Sequence, residues 1–152
     1  MSIWKFLHII SMFAAVSLFV GTSVLFERLI STRDVLAIRR FEGVATPVVR
    51  VAIVLVILGL IFGLITVDDL GFSYTAGWVI AAYVLYFGLF ALGPFEGRWQ
   101  AKIFAAAKES PDDAPSPQLE AMITSTGRRV IVLSSIVLYV LIIYDMVQKP
   151  FS

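Results

Sequence analysis

Apolar residues dominate four stretches, 3–26, 48–67, 74–92 and 130–147. Each is close to the ~20 residues a helix needs to cross a bilayer core. The pattern predicts an all-α integral membrane bundle of four transmembrane helices, forming one domain over residues 1–152. Asp68-Asp69-Leu70-Gly71 is the one tight turn in the pattern, so the second and third spans should form an antiparallel hairpin. Thr46-Pro47 offers an N-cap and a first-position proline to start the second helix. Gly93-Pro94 kinks or ends the third. The first stretch does not fit a signal peptide: Lys5 is its only early cation, the run is too long, and no small-x-small site follows.

The segments between spans one and two and between three and four are long and should be partly helical. Phe95, Trp99, Ile103 and Phe104 recur at helical spacing among Glu96, Arg98, Lys102 and Lys108. The third helix therefore should continue beyond the bilayer or turn along its surface. Residues 111–117, Pro-Asp-Asp-Ala-Pro-Ser-Pro, read as a linker. Ser116-Pro117 then opens a helix that should run into the fourth span, with Gly127 as its weak point.

Composition agrees with the pattern. The 152 residues are 59% hydrophobic and 15% charged, whereas globular domains average about 45–50% and about 25%. So short a chain cannot bury that much apolar surface in water. A soluble enzyme, a nucleic-acid binder and a disordered tail are excluded. Cysteine is absent, which removes disulfides, thiolate metal sites and cysteine nucleophiles, and a single histidine removes a multi-histidine zinc site within one chain.

Net charge is only +1, so placement matters more than the sum. Arg28, Arg33, Arg39, Arg40 and Arg50 lie around the segment joining spans one and two. Arg98, Lys102, Lys108, Arg128 and Arg129 lie between spans three and four. The opposite side has Lys5 and Lys149 alone. The positive-inside rule places both termini outside and both long segments in the cytoplasm.

Three groups of residues are candidates for chemistry. His8 lies two turns into the first span and, as an intramembrane ionisable group, is a functional candidate. An imidazole there serves as a ligand for haem iron or another metal, as a proton carrier, or as a neutral donor of one hydrogen bond to a neighbouring helix. Asp145, beside Tyr144 in the last turn of the fourth span, should lie at the depth of Lys5 and His8. It then pairs with Lys5, orients His8, or pairs with Lys149 at i+4. With Asp68 and Asp69 it is also a candidate outward cation site. Glu27, Arg50, Glu96, Arg128 and Arg129 gather at the cytoplasmic boundary, where Glu27–Arg50 and Glu96 with Arg128 or Arg129 are the natural pairs. Their alternative roles are snorkelling charge and a cationic pocket for a lipid phosphate or a propionate.

Packing signals are plentiful. Gly59-x-x-x-Gly63 and the Ala14, Ser17, Gly21 stripe allow close backbone approach, within a chain or between chains. Tyr83, Tyr86, Phe87 and Phe90 are packing residues or the wall of a site for a flat hydrophobic pigment or quinone. Trp4, Tyr74 and Trp78 suit the outer aromatic belt. No Asp, Glu, Lys or Arg lies near the middle of a span, and no span is broken at mid-membrane, which disfavours transport.

Short motifs along nearly the whole chain add a resemblance. They are Lys5-Phe6-Leu7-His8-Ile9 with Gly21, Gly63-Leu64, Gly77-Trp78, Leu92-Gly93-Pro94, and the closing Asp145-Met146-Val147-Gln148-Lys149-Pro150. Together they resemble a bacterial family of predicted four-helix integral membrane proteins, a domain of unknown function. That family is similar in its first helix to the membrane-bound protoporphyrinogen oxidase and to inner-membrane copper-resistance proteins. The resemblance implies a location in a bacterial inner membrane and haem or metal at His8. Unlike the oxidase pattern, residues 77–92 contain no Lys, Arg or His.

The reading that follows is a non-catalytic structural or accessory membrane protein. It self-associates or joins other membrane subunits within the lipid bilayer, and has no nucleic-acid partner. The residues call for no cofactor. The alternative is a haem b redox protein with His8 as axial ligand and Asp145 or Tyr144 behind it.

Overall fold

The computed structural model describes residues 2–150, which form five α-helices and no strand. These are α1 (Ile3–Ser31), α2 (Val35–Asp69), α3 (Gly77–Glu109), α4 (Pro117–Ile123) and α5 (Thr126–Gln148). Four helical segments are long and apolar enough to cross a membrane: α1, α2, α3, and α4 with α5 taken together. Large apolar side chains such as Phe13, Val51, Val54, Leu133 and Val140 stay exposed along them. In water such a surface would aggregate; against lipid it is the expected exterior.

The link between α1 and α2 is three residues, not a long loop. Ser31 and Thr32 hydroxyls bond back to the Arg28 and Leu29 carbonyls, Arg33 takes a left-handed φ of 59°, and Asp34 caps Ala37 N at 2.9 Å. Nor does α2 begin at Thr46-Pro47, since Pro47 lies inside it. A proline there costs a backbone hydrogen bond. The helix passes through because Ile38, Ala45, Ala52 and Gly59, one every seven residues, form a continuous buried stripe on both sides of it. On the α1 side the buried stripe is Ser11, Ala15 and Thr22. The Ala14, Ser17, Gly21 stripe does not pack within the chain: Ser17 and Gly21 are exposed, and a Cβ on Gly21 would meet nothing within 4 Å.

The Asp68–Gly71 turn forms as expected, with Gly71 at φ 68°. The third helix starts at Gly77 rather than Tyr74, because Ser73 and Thr75 are engaged in a hydroxyl-bonded turn. It runs unbroken through Gly93-Pro94 to Glu109, so it extends well past the apolar stretch. Ser116 caps Leu119 N and Pro117 opens α4, as the sequence indicated. The break before the fourth span falls at Thr124–Ser125, ahead of Gly127. There the Thr124 hydroxyl bonds back to Glu120 O, and Ser125 caps the new helix at Arg128 N. Short hydroxyl side chains that compete for backbone partners end helices in this way.

The bundle is two helix pairs, α1 on α2 and α3 on α5. One apolar core lies at the end carrying α4, where Phe26, Ile30, Ile38, Ile103, Phe104 and Leu119 meet. Phe26 packs edge-on to Phe104 with centroids 5.3 Å apart. Polar links frame this core. Arg39 donates from Nε to Ala107 O at 2.6 Å and from its terminal nitrogens to Ser110 O and Asp112, so a cation closes the carbonyl end of α3. Lys108 pairs with Glu42 at 2.6 Å. Arg33 grips Glu120 with Nε and Nη2 at 2.7–3.0 Å, which holds that carboxyl below the usual range. A smaller core at the other end joins Val67, Trp78 and Val79 with Phe72, Tyr83 and Met146. Trp78 is buried there instead of standing in an aromatic belt, while Trp4 is half-buried and Tyr74 exposed.

Candidate functional site

His8 sits on the face of α1 that meets α2, and its Nδ1 is 2.7 Å from Gly59 O. A carbonyl only accepts, so Nδ1 carries the proton. The Gly59/Gly63 pair makes room for this: a Cβ on Gly63 would stand 2.9 Å from the imidazole, and one on Gly59 2.5 Å from Met12 Sδ. The glycine motif thus seats two side chains of α1 within one chain. Tyr86 ties α3 to this pair, with its hydroxyl 3.1 Å from both Val56 O and Met12 Sδ.

Asp145 is 3% exposed, and neither carboxylate oxygen has a hydrogen-bond partner among the described residues. It does not pair with Lys5, which is exposed, nor orient His8, whose Nδ1 belongs to Gly59. Lys149 is drawn elsewhere. Its left-handed φ of 45° ends α5, and its Nζ lies 4.0 Å over Phe72 and 5.0 Å over Trp78, a cation–π arrangement. Tyr144 is 57% exposed and faces away from the bundle. Asp68 and Asp69 are exposed, and no group of three His, Asp or Glu side chains among the described residues is arranged to hold a metal.

At the opposite boundary the ion pairs differ from those the sequence favoured. Glu27 pairs with Arg128 rather than Arg50, joining α1 to α5. Arg128 is 3% exposed, donates to Ile123 O at 3.1 Å, and leaves Nε unpaired among the described residues. Glu96 accepts from the Ser23 hydroxyl at 2.8 Å, joining α3 to α1. Arg50 and Arg129 are exposed and outside every ion pair of the described residues. Two carboxylates therefore face one guanidinium around a hollow of about 10 Å³ bounded by Trp99 and Gln100, near the smallest space that holds a water.

Beside this hollow, sharing Ser23, Glu96 and Gln100 with it, lies a cavity of about 410 Å³ among all four spanning helices. Its walls are mainly apolar, with Val16, Phe19, Val56 and Leu89 prominent. Of the four aromatic residues singled out on the third span, Tyr86 and Phe90 line it. Tyr83 packs in the smaller core, and Phe87, one position round the helix, is 73% exposed. His8 does not line the cavity. Sequence reasoning missed Ser23, Gln100, Ser135 and Tyr139; the signal was the polar i, i+4 pairs Glu96/Gln100 and Ser135/Tyr139 within otherwise apolar helices.

Comparison with known proteins finds no matching family model, no similar curated protein and no similar solved structure.

Proposed function

We propose that this multi-pass membrane protein is a non-catalytic structural or accessory subunit of a bacterial inner membrane, with both termini outside. The observation that carries the reading is how its boundary charges are used. Glu27–Arg128 and Ser23–Glu96 bind α1 to α5 and α3, and Arg39 closes the end of α3. Each of these groups is engaged by a neighbouring helix, the use of charge expected of a packing subunit. The positive-inside bias of about ten basic residues to two supports the orientation. Native mass spectrometry of protein extracted from its own membrane tests the role. The expected mass is that of a homo-oligomer or a larger complex, and a solitary monomer overturns the reading.

A second reading, a haem-associated redox protein, rests on one feature of His8. With its Nδ1–H held by Gly59 O, Nε2 is left as the ligand nitrogen, the orientation that ligating imidazoles adopt. Asp145 and Tyr144 do not support it as partners of the ring. Absorption spectra of the protein, oxidised and dithionite-reduced, separate the two. The accessory reading expects a flat visible spectrum, while a stoichiometric Soret band lost in His8→Ala establishes the redox one.

A further inference from the structure

The 410 Å³ cavity lies within the size range of small-molecule sites, and its shape and charge point to one kind of occupant. At one end α2 and α3 are joined by Tyr86 and Val56 O; at the other, by Lys108–Glu42 and Arg39 on Ala107 O. Between these clamps the lining residues Ile53, Phe90, Gly93, Pro94 and Gly97 are exposed, so the mouth opens sideways between α2 and α3 at the depth of the spans. The wall is mainly apolar; Ser23, Glu96 and Gln100, which also border the hollow beside Arg128, form a polar end that holds its only charged group among the described residues, while Thr22, Ser135 and Tyr139 add hydroxyls, that of Ser135 donating to Ile131 O.

The charge at that end selects the head group. Arg128 is already held by Glu27 and Ile123 O, leaving Glu96 without a counter-cation among the described residues. Its carboxylate takes one hydrogen bond, from Ser23. A carboxylate has about four acceptor positions, so it has capacity for further donors, and the cluster of two carboxylates and one guanidinium repels an anion.

We propose that the cavity binds a single-chain amphiphile whose head donates hydrogen bonds and carries no negative charge, a long-chain alcohol or amine. The head lies at Ser23, Glu96 and Gln100, and the chain lies along Val16, Phe19 and Val56.

The test uses the full chain in lipid nanodiscs and three photoactivatable hexadecyl probes, an alcohol, an amine and a carboxylic acid, with labelled peptides mapped by mass spectrometry. The alcohol and amine should label cavity-lining segments saturably, at least about ten-fold more than the acid, as expected for a hydrogen bond to a charged group. Glu96→Gln should remove most of the amine labelling and raise that of the acid. Gly93→Leu and Gly97→Leu place their side chains at the mouth, where an added Cβ meets nothing within 4 Å. These variants keep the fold, as thermal unfolding will show, and should block labelling. Equal labelling by all three probes, labelling that does not saturate, or labelling that survives both leucine variants overturns the proposal.

Discussion

His8 Nδ1 lies 2.7 Å from the carbonyl oxygen of Gly59, and the same imidazole lies so close to Gly63 that a single added carbon there would stand 2.9 Å away. The side chain with the richest chemistry in the spans is therefore enclosed by the two glycines of the facing helix. The Nδ1–Cε1 edge of the ring is pressed against both glycines, so there is no room for an added carbon there.

Gly63→Ala should accordingly destabilise the protein by about 1–3 kcal/mol through overpacking. Gly21→Ala, where the added carbon meets nothing within 4 Å, should be neutral or stabilising by up to ~1 kcal/mol through helix propensity. Reversible unfolding of both variants in the same detergent checks the contrast.

Arg128→Met leaves Glu27 without its partner at a nearly closed position. The expected loss is about 3 kcal/mol, at the lower end for broken buried pairs because Glu27 keeps some exposure. The double variant Glu27→Gln/Arg128→Met should recover a large part of it. Arg50→Ala should have no measurable effect. A double-mutant cycle on unfolding free energies reads all three.

Asp145→Leu should raise stability by about 1–3 kcal/mol, since it replaces a buried carboxyl without hydrogen-bond partners among the described residues by an apolar side chain. A lower stability at neutral pH would show that the carboxyl is satisfied by a group outside residues 2–150.

Glu120 gives a pH signature outside the bilayer. The Arg33 hydrogen bonds lower its pKa in the folded state, so the unfolded chain binds more protons in that window. The resulting stabilisation is present above the ordinary glutamate value and is lost as pH falls through the lowered one. Wild type and Glu120→Gln should therefore differ at pH 7 and converge in acid, by a small amount suited to an exposed pair.

Because the chain has no cysteine, single cysteines report orientation directly. In intact spheroplasts Ser2→Cys should react with a membrane-impermeant maleimide, and Asp113→Cys only after the membrane is opened. The reverse pattern overturns the orientation.

Much of the architecture was legible in the chain because it is set by local chemistry. Four apolar runs of bilayer length, the Asp68–Gly71 turn, and the Ser116-Pro117 helix start each depend on neighbouring residues, and all appear where the sequence puts them. The same local rules placed a start at Pro47 that does not exist, because the cost of a proline was outweighed by a buried stripe spread over some twenty residues. Nor could they say which small residues of α1 are buried within the chain, Ser11, Ala15 and Thr22 rather than Ala14, Ser17 and Gly21, since Ala14 and Ala15 are chemically alike and only the facing helix tells them apart.

The sequence by itself determined that this is a four-span membrane protein and which side chains are available for chemistry. Only the tertiary structure decided their partners: His8 with Gly59, Glu27 with Arg128, Lys149 over Phe72, and the cavity beside Glu96. Spans are written in residues close together along the chain. Partnerships and cavities depend on the rotation of each helix about its axis, which is fixed by packing between residues far apart in sequence.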